Sequence, residues 1–177
     1  MEAALASYDL AMETTISEMT LAAWQARQIE KAARILGHFV ESTKEDRLRW
    51  RPATEDASKT RSALEQLGEC VFANTRFRCF LRGETPPPAP ESFDGFGSVR
   101  EARQALESSA DALAAEIRKL ESGDMMREVQ THRGAMPVAL AIQFPLRNMI
   151  YHMGQINMIQ LLYGDAEFHI DEEFVTL

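Results

Sequence analysis

The feature that most limits the fold is a single seam of small and aliphatic residues between Ser98 and Leu120. Val99, Ala102, Leu106, Ala110, Leu113, Ile117 and Leu120 follow one another in alternating steps of three and four. That spacing keeps all seven on one side of a helix. Arg103, Glu107, Asp111 and Arg118 occupy the other side, so the helix has one face to bury and one to hydrate. Ser98 before the first seam residue and Glu101 three positions after it read as a capping box. A helix of this kind is stable only when other helices cover its seam.

Three further segments supply that cover. The first spans roughly residues 17–42, with Leu21, Trp24, Ala32, Ile35, Leu36 and Phe39 near a three-four repeat. Residues 3–13 suggest a short leading helix. After the polar turn STKEDRLRWRPATEDAS, the second long helix is expected from about Ala57 to Arg82, stopped by Gly83 and the following ETPPPAP. Residues 122–136 are irregular, with REVQTH as a short strand or an extended connector. The last helix is expected to start near Pro137, to kink at Pro145 and to end at Gly164. The expectation is an all-α, antiparallel four-helix bundle in one domain over residues 1–177, with a short extension at 1–16 and an acidic tail at 165–177.

Charge and composition exclude several classes. The formal net charge is -8, with 19 basic against 27 acidic residues and no basic run, which argues against nucleic acid and anionic membranes as partners. The first residues carry Glu2 and Asp9 rather than a basic start, and the longest apolar run is broken by Gln143 and two prolines. A cytoplasmic protein is the expectation. Cys70 and Cys79 fall on opposite faces of one helix, roughly 13 Å apart along its axis, too far for a disulfide between them.

The last helix raises the chemical question. RNMIYHMGQINMIQLLYG, residues 147–164, is apolar on nearly every side. With His152 as origin, Asn148 lies about 40° and Gln155 about 60° to the same side. Pro145, Ile156, Ile159 and Tyr163 share that sector. The opposite side, with Ile150, Gly154, Met158 and Leu161, is apolar too. One face is expected to meet the bundle interior and the other a second subunit, giving a homodimer. Buried Asn148 and His152 need partners, either an internal hydrogen-bond network or a metal ion gripped from one face.

A second stretch, LRWRPATEDASKTRSALEQLGECVFANTRF, places a Trp-x-Pro turn before a helix in which Glu69 interrupts LGECVF. Together with H-M-G-Q-I on the last helix, it resembles the DinB/YfiT-like superfamily from about Leu21 to Gly164. That resemblance implies a four-helix bundle, commonly dimeric, binding nickel or zinc through three histidines, one on the second helix and two on the fourth. Here the corresponding positions are Glu69, Asn148 and His152, so one histidine of three is kept. A mixed Glu/Asn/His set would bind more weakly and favour harder ions. The resemblance implies a metal-dependent thiol transferase or hydrolase, with Gln155 orienting a ligand; the alternative is a metal-free binding or stress-response module. Phe72 lies near Glu69 on the wheel, Arg76 is its candidate ionic partner, and His132 is positioned to cover the pocket mouth.

Other constellations are absent. There is no Glu-x-x-His pair of the di-iron bundles, no H-E-x-x-H, no C-x-x-C and no G-x-S-x-G. DGFGS at residues 94–98 follows no strand, which leaves it as a loop into a helix cap.

Overall fold

The structure is a computed structural model that describes residues 19–52, 60–170 and 174. Four long helices carry the fold: α1 (Leu21–Glu41), α2 (Ala63–Arg82), α3 (Val99–Ile117) and α5 (Phe144–Leu162). Between the last two lie a hairpin of β1 (Glu128–Thr131) and β2 (Gly134–Pro137) and a short helix α4 (Val138–Ala141). The leading helix expected at residues 3–13 lies outside the described residues.

The seam of α3 is buried as its spacing demands. Ala102, Leu106, Ala110, Leu113 and Ile117 are inaccessible, and Val99 and Leu120 pack at its ends. Opposite it stand Ile29, Leu36 and Val40 of α1, Leu64 and Leu67 of α2, and Met149 and Ile156 of α5. On α1, Ala32, Ile35, Leu36 and Phe39 are buried as expected, and the difference lies at the first turns. Leu21 and Trp24 are exposed, while Ala22, Ala26 and Ile29 are buried. Small residues at that end allow close approach between helix backbones.

The helices pack in the cyclic order α1, α3, α2, α5. The expected all-α bundle is the fold, but only two of its four neighbouring pairs run antiparallel. In α1/α3, Glu41 pairs with Arg103 and Glu30 with Arg118, so the two run in opposite directions. In α2/α5, Gln66 meets His152 and Phe77 stacks on Phe144 with centroids 5.6 Å apart, again antiparallel. In α2/α3, Asn74 donates to Ser109 at 3.1 Å and Arg82 lies 3.5 Å from Glu116, so this pair is parallel. In α1/α5, Gln25 donates to the Ile142 carbonyl and Gln160 to that of Phe39, also parallel. The cause is the connection at residues 83–98. It runs back along α2, which is about 30 Å long, before α3 begins. A Cβ on Gly68 would overlap the Phe93 carbonyl of this returning chain, which is why α2 has a glycine there.

Helix ends explain three differences from expectation. Residues 60–61 are not helical, and α2 starts at Ala63 because Ser62 and Glu65 form a reciprocal capping box. At α3, Ser98 caps the Glu101 N–H at 3.2 Å, but the Glu101 carboxylate reaches the Gly97 N–H instead of returning to Ser98. Pro145 does not kink the last helix. It sits in the first turn of α5, where no intrahelical N–H is required, and the chain breaks before it at residues 142–143. Gln25 satisfies the Ile142 carbonyl left at that break, at 3.1 Å. Pro137 ends β2 and is at the same time the N-cap of α4, so a helix does start there, but it lasts only to Ala141; REVQTH supplies β1. Gly134, at φ 100°, provides the left-handed residue that closes the hairpin after His132 and Arg133. No described helix is long and apolar enough to cross a membrane.

Candidate functional site

The N-terminal half of α2 faces the middle of α5 across a cleft of about 470 Å3. Gln66 and Glu69 stand one turn apart on α2, and Asn148, His152 and Gln155 line the facing side of α5. Tyr151, Met158 and Leu162 form its outer apolar wall, and Pro52, Thr60 and Arg61 its near end.

His152 is the most deeply buried of these groups, with 4% of its side chain exposed against 28% for Glu69. Its Nε2 lies 2.7 Å from Glu69 Oε2. Its Nδ1 faces two amide oxygens, Gln66 Oε1 and, at 2.9 Å, Gln155 Oε1. Arg61 Nη1 donates to the same Glu69 oxygen that meets the imidazole. The hydrogen bond from His152 comes first among the influences that hold the Glu69 carboxyl below its ordinary range; burial opposes it, and the charges of His152 and Arg61 add to it.

Asn148 donates to Cys70 Sγ at 3.6 Å. Cys70 is fully buried, and its thiol is pushed well above the ordinary value, first by burial and then by the Glu69 charge. It is therefore a packing thiol and no nucleophile at neutral pH.

Glu65 anchors this end of α2. It accepts from the Ser62 N–H at 2.9 Å and from Arg51 through both carboxylate oxygens, Nε to Oε2 at 2.8 Å. Burial, the largest influence, pushes its carboxyl up, but the bonds from Arg51 and Ser62 outweigh it and the net shift is downward. The Trp-x-Pro turn is thereby tied to α2 through its central residue.

A second cleft, about 390 Å3, adjoins the first and shares Arg61, Glu69 and Asn148 with it. Phe72, Arg76 and His132 line this cleft and not the first. His132 stacks on Phe80, 6.2 Å between centroids, at the exposed tip of the hairpin. Arg76 is not the partner of Glu69; its guanidinium lies over Phe72 and Phe80 at 5.2 and 5.7 Å. Tyr163 lines neither cleft. It follows the last turn of α5 and packs edge-on against Trp50 at 6.3 Å. The Tyr163 N–H still bonds the Ile159 carbonyl, so the residue keeps its place on the wheel, but eleven residues put it about 16 Å along the axis from His152, past the cleft.

Sequence reasoning missed Arg61 and Gln66. Gln66 was accessible to it, since Gln66 and Glu69 at i and i+3 share a helix face. Arg61 precedes the helix, and no periodicity links it to Glu69.

The profile of the DinB superfamily matches residues 28–156. The chain belongs to the DinB superfamily. That span runs from α1 to the middle of α5 and includes Glu69, Asn148 and His152. No curated protein is similar enough to the chain to match it.

The DinB resemblance implies a metal, so the donors must be weighed against one. Glu69, Asn148 and His152 line one cleft, as the resemblance implied. Among the described residues, however, no three His, Cys, Asp or Glu side chains converge on a point. The Glu69 carboxylate already carries Arg61 and His152, and both ring nitrogens of His152 face oxygens. An ion at His152 would have to displace either the Glu69 carboxylate or the glutamine side chains from the ring. In this arrangement the residues do not fit a bound metal.

Proposed function

We propose that this DinB-superfamily chain is a metal-independent small-molecule binding module, with its ligand taken between α2 and α5. Charge balance at Glu69 carries the reading. A carboxylate turned toward a bundle interior needs a compensating cation, and Arg61 meets that need from within the chain, with the His152 ring in contact with the same oxygen. The ligand's place is beside that pair, against Gln155, Tyr151 and Met158, where amide donors and acceptors adjoin an apolar wall.

The competing reading is a metal-dependent thiol transferase or hydrolase with nickel or zinc on Glu69, Asn148 and His152. It draws on the three side chains sharing one cleft. It requires Glu69 to give up its contacts with both Arg61 and His152.

Metal analysis of tag-free protein, after supplementation with nickel and with zinc, separates the two. The expected content is below about a tenth of an equivalent. Stoichiometric metal that disappears in His152→Ala would establish the competing reading instead. A small-fragment screen followed by amide chemical shifts supplies the positive test. Hits are expected to move the Tyr151, Gln155 and Met158 resonances and to be lost in Gln155→Ala.

We also infer a homodimer through the outer face of α5. Ile150 and Met158 are 56% and 55% exposed there, Met158 at the edge of the first cleft, and Leu161 is uncovered beside them. A second copy of the same face covers all three residues, because a twofold contact sets a patch against itself.

A further inference from the structure

The second cleft carries chemistry that the ion pair at Glu69 does not use. Its far side is formed by the hairpin tip and the second half of α2, and its walls are aromatic: Phe72, Phe77, Phe93 and Phe144. Phe72 and Phe93 meet at 5.8 Å, and Phe77 stacks on Phe144 at 5.6 Å. Two guanidiniums, Arg76 and Arg133, line the same space. Each is held over an aromatic ring, Arg76 over Phe72 at 5.2 Å and Arg133 over Phe144 at 5.9 Å. Among the described residues, neither has an ion pair to a carboxylate, although acidic residues outnumber basic ones along the chain, 27 to 19. The third arginine of the cleft, Arg61, is committed to Glu69.

Contact with a ring face positions a guanidinium while leaving its in-plane N–H donors free. Two such groups above aromatic walls match a ligand with a flat apolar body and one anionic end. His132 lines the same cleft. Its pKa lies below the ordinary value, first through burial and then through the charges of Arg76 and Arg133.

We propose that this second cleft binds a small aromatic carboxylate, its ring among Phe72, Phe93 and Phe144 and its carboxylate held between Arg76 and Arg133. The site adjoins the ligand position beside His152 through Arg61, Glu69 and Asn148, but its two anchoring arginines lie outside that first cleft.

Isothermal titration of the full chain with 2-naphthoate tests it, with benzoate, 2-naphthalenemethanol and inorganic phosphate as comparisons. Saturable binding of 2-naphthoate is expected. The neutral alcohol and inorganic phosphate should each bind at least about tenfold more weakly, since each lacks one half of the recognition. Arg76→Gln and Arg133→Gln should each weaken 2-naphthoate by about tenfold. Arg133 lies at the exposed hairpin tip, so its variant tests the site without risk to the core. Gln155→Ala, which removes ligand from the first cleft, should leave 2-naphthoate binding unchanged, because Gln155 lines only the first cleft and touches none of the residues the two clefts share. That result keeps failure of the first site distinct from failure of this one. Equal affinity for acid and alcohol, or for wild type and Arg133→Gln, overturns the proposal. So does the lack of saturable binding by either carboxylate up to about 10 mM, a concentration well above a millimolar dissociation constant.

Discussion

Arg61 donates to Glu69 through the same carboxylate oxygen, Oε2, that lies 2.7 Å from His152 Nε2. One oxygen thus joins the loop before α2, α2 itself and α5.

If the three positions keep the spacing of a metal site, histidines should restore one. Glu69→His with Asn148→His, and Arg61→Gln added to remove the unpaired guanidinium, is expected to take up about one equivalent of nickel or zinc. Elemental analysis and titration measure it, and His152→Ala in that background should abolish it. A folded triple variant that stays metal-free means the three side chains do not aim at one point.

Acid should loosen the α2 end of the bundle. The carboxyls of Glu65 and Glu69 are both lowered from the ordinary 4.5. Their folded pKa values lie below their unfolded ones, so the unfolded state binds more protons in the intervening range. Their stabilisation is complete above about pH 5 and is lost as the pH falls through the folded values. Thermal midpoints should therefore drop with acidification below about pH 5. Glu65→Gln should flatten that slope and cost about 1–3 kcal/mol at neutral pH, through loss of the Arg51 pairing. A variant whose slope equals that of wild type counts against this assignment.

Gly68→Ala should destabilise the fold by about 1–3 kcal/mol. The added methyl meets a backbone carbonyl, that of Phe93, which cannot swing aside as the end of a side chain can. Chemical denaturation gives the value. An unchanged midpoint shows that the connection at residues 83–98 shifts freely.

The outer face of α5 should hold the dimer together. Ile150→Glu with Met158→Glu is expected to convert a dimer to a folded monomer by light scattering. Wild-type protein that is already monomeric at micromolar concentrations removes the dimer inference.

Thiol reactivity should divide sharply. Cys79, partly exposed, is expected to alkylate with iodoacetamide before Cys70, which is buried with a strongly raised pKa. Peptide mass analysis during a time course distinguishes them. Early loss of the Cys70 thiol means that α2 and α5 part readily at Asn148.

The chain's local patterns determined its helices. The seam from Val99 to Leu120 needs only the 3.6-residue period to define a buried face, and Ser98 and Gly83 act on backbone groups within a few residues of themselves. The line of Asn148, His152 and Gln155 was legible for the same reason, as was the inward turn of Glu69. Tertiary structure alone decided which helices neighbour one another and in which direction, because residues 83–98 could have returned α3 along either face. It also decided that Arg61, rather than Arg76, meets Glu69. Side-chain spacing along a helix is local geometry. The partner of a buried charge is chosen by whichever group the folded chain brings within reach, and for Glu69 that depended on α2 starting at Ala63 and on α5 delivering His152 from the far side.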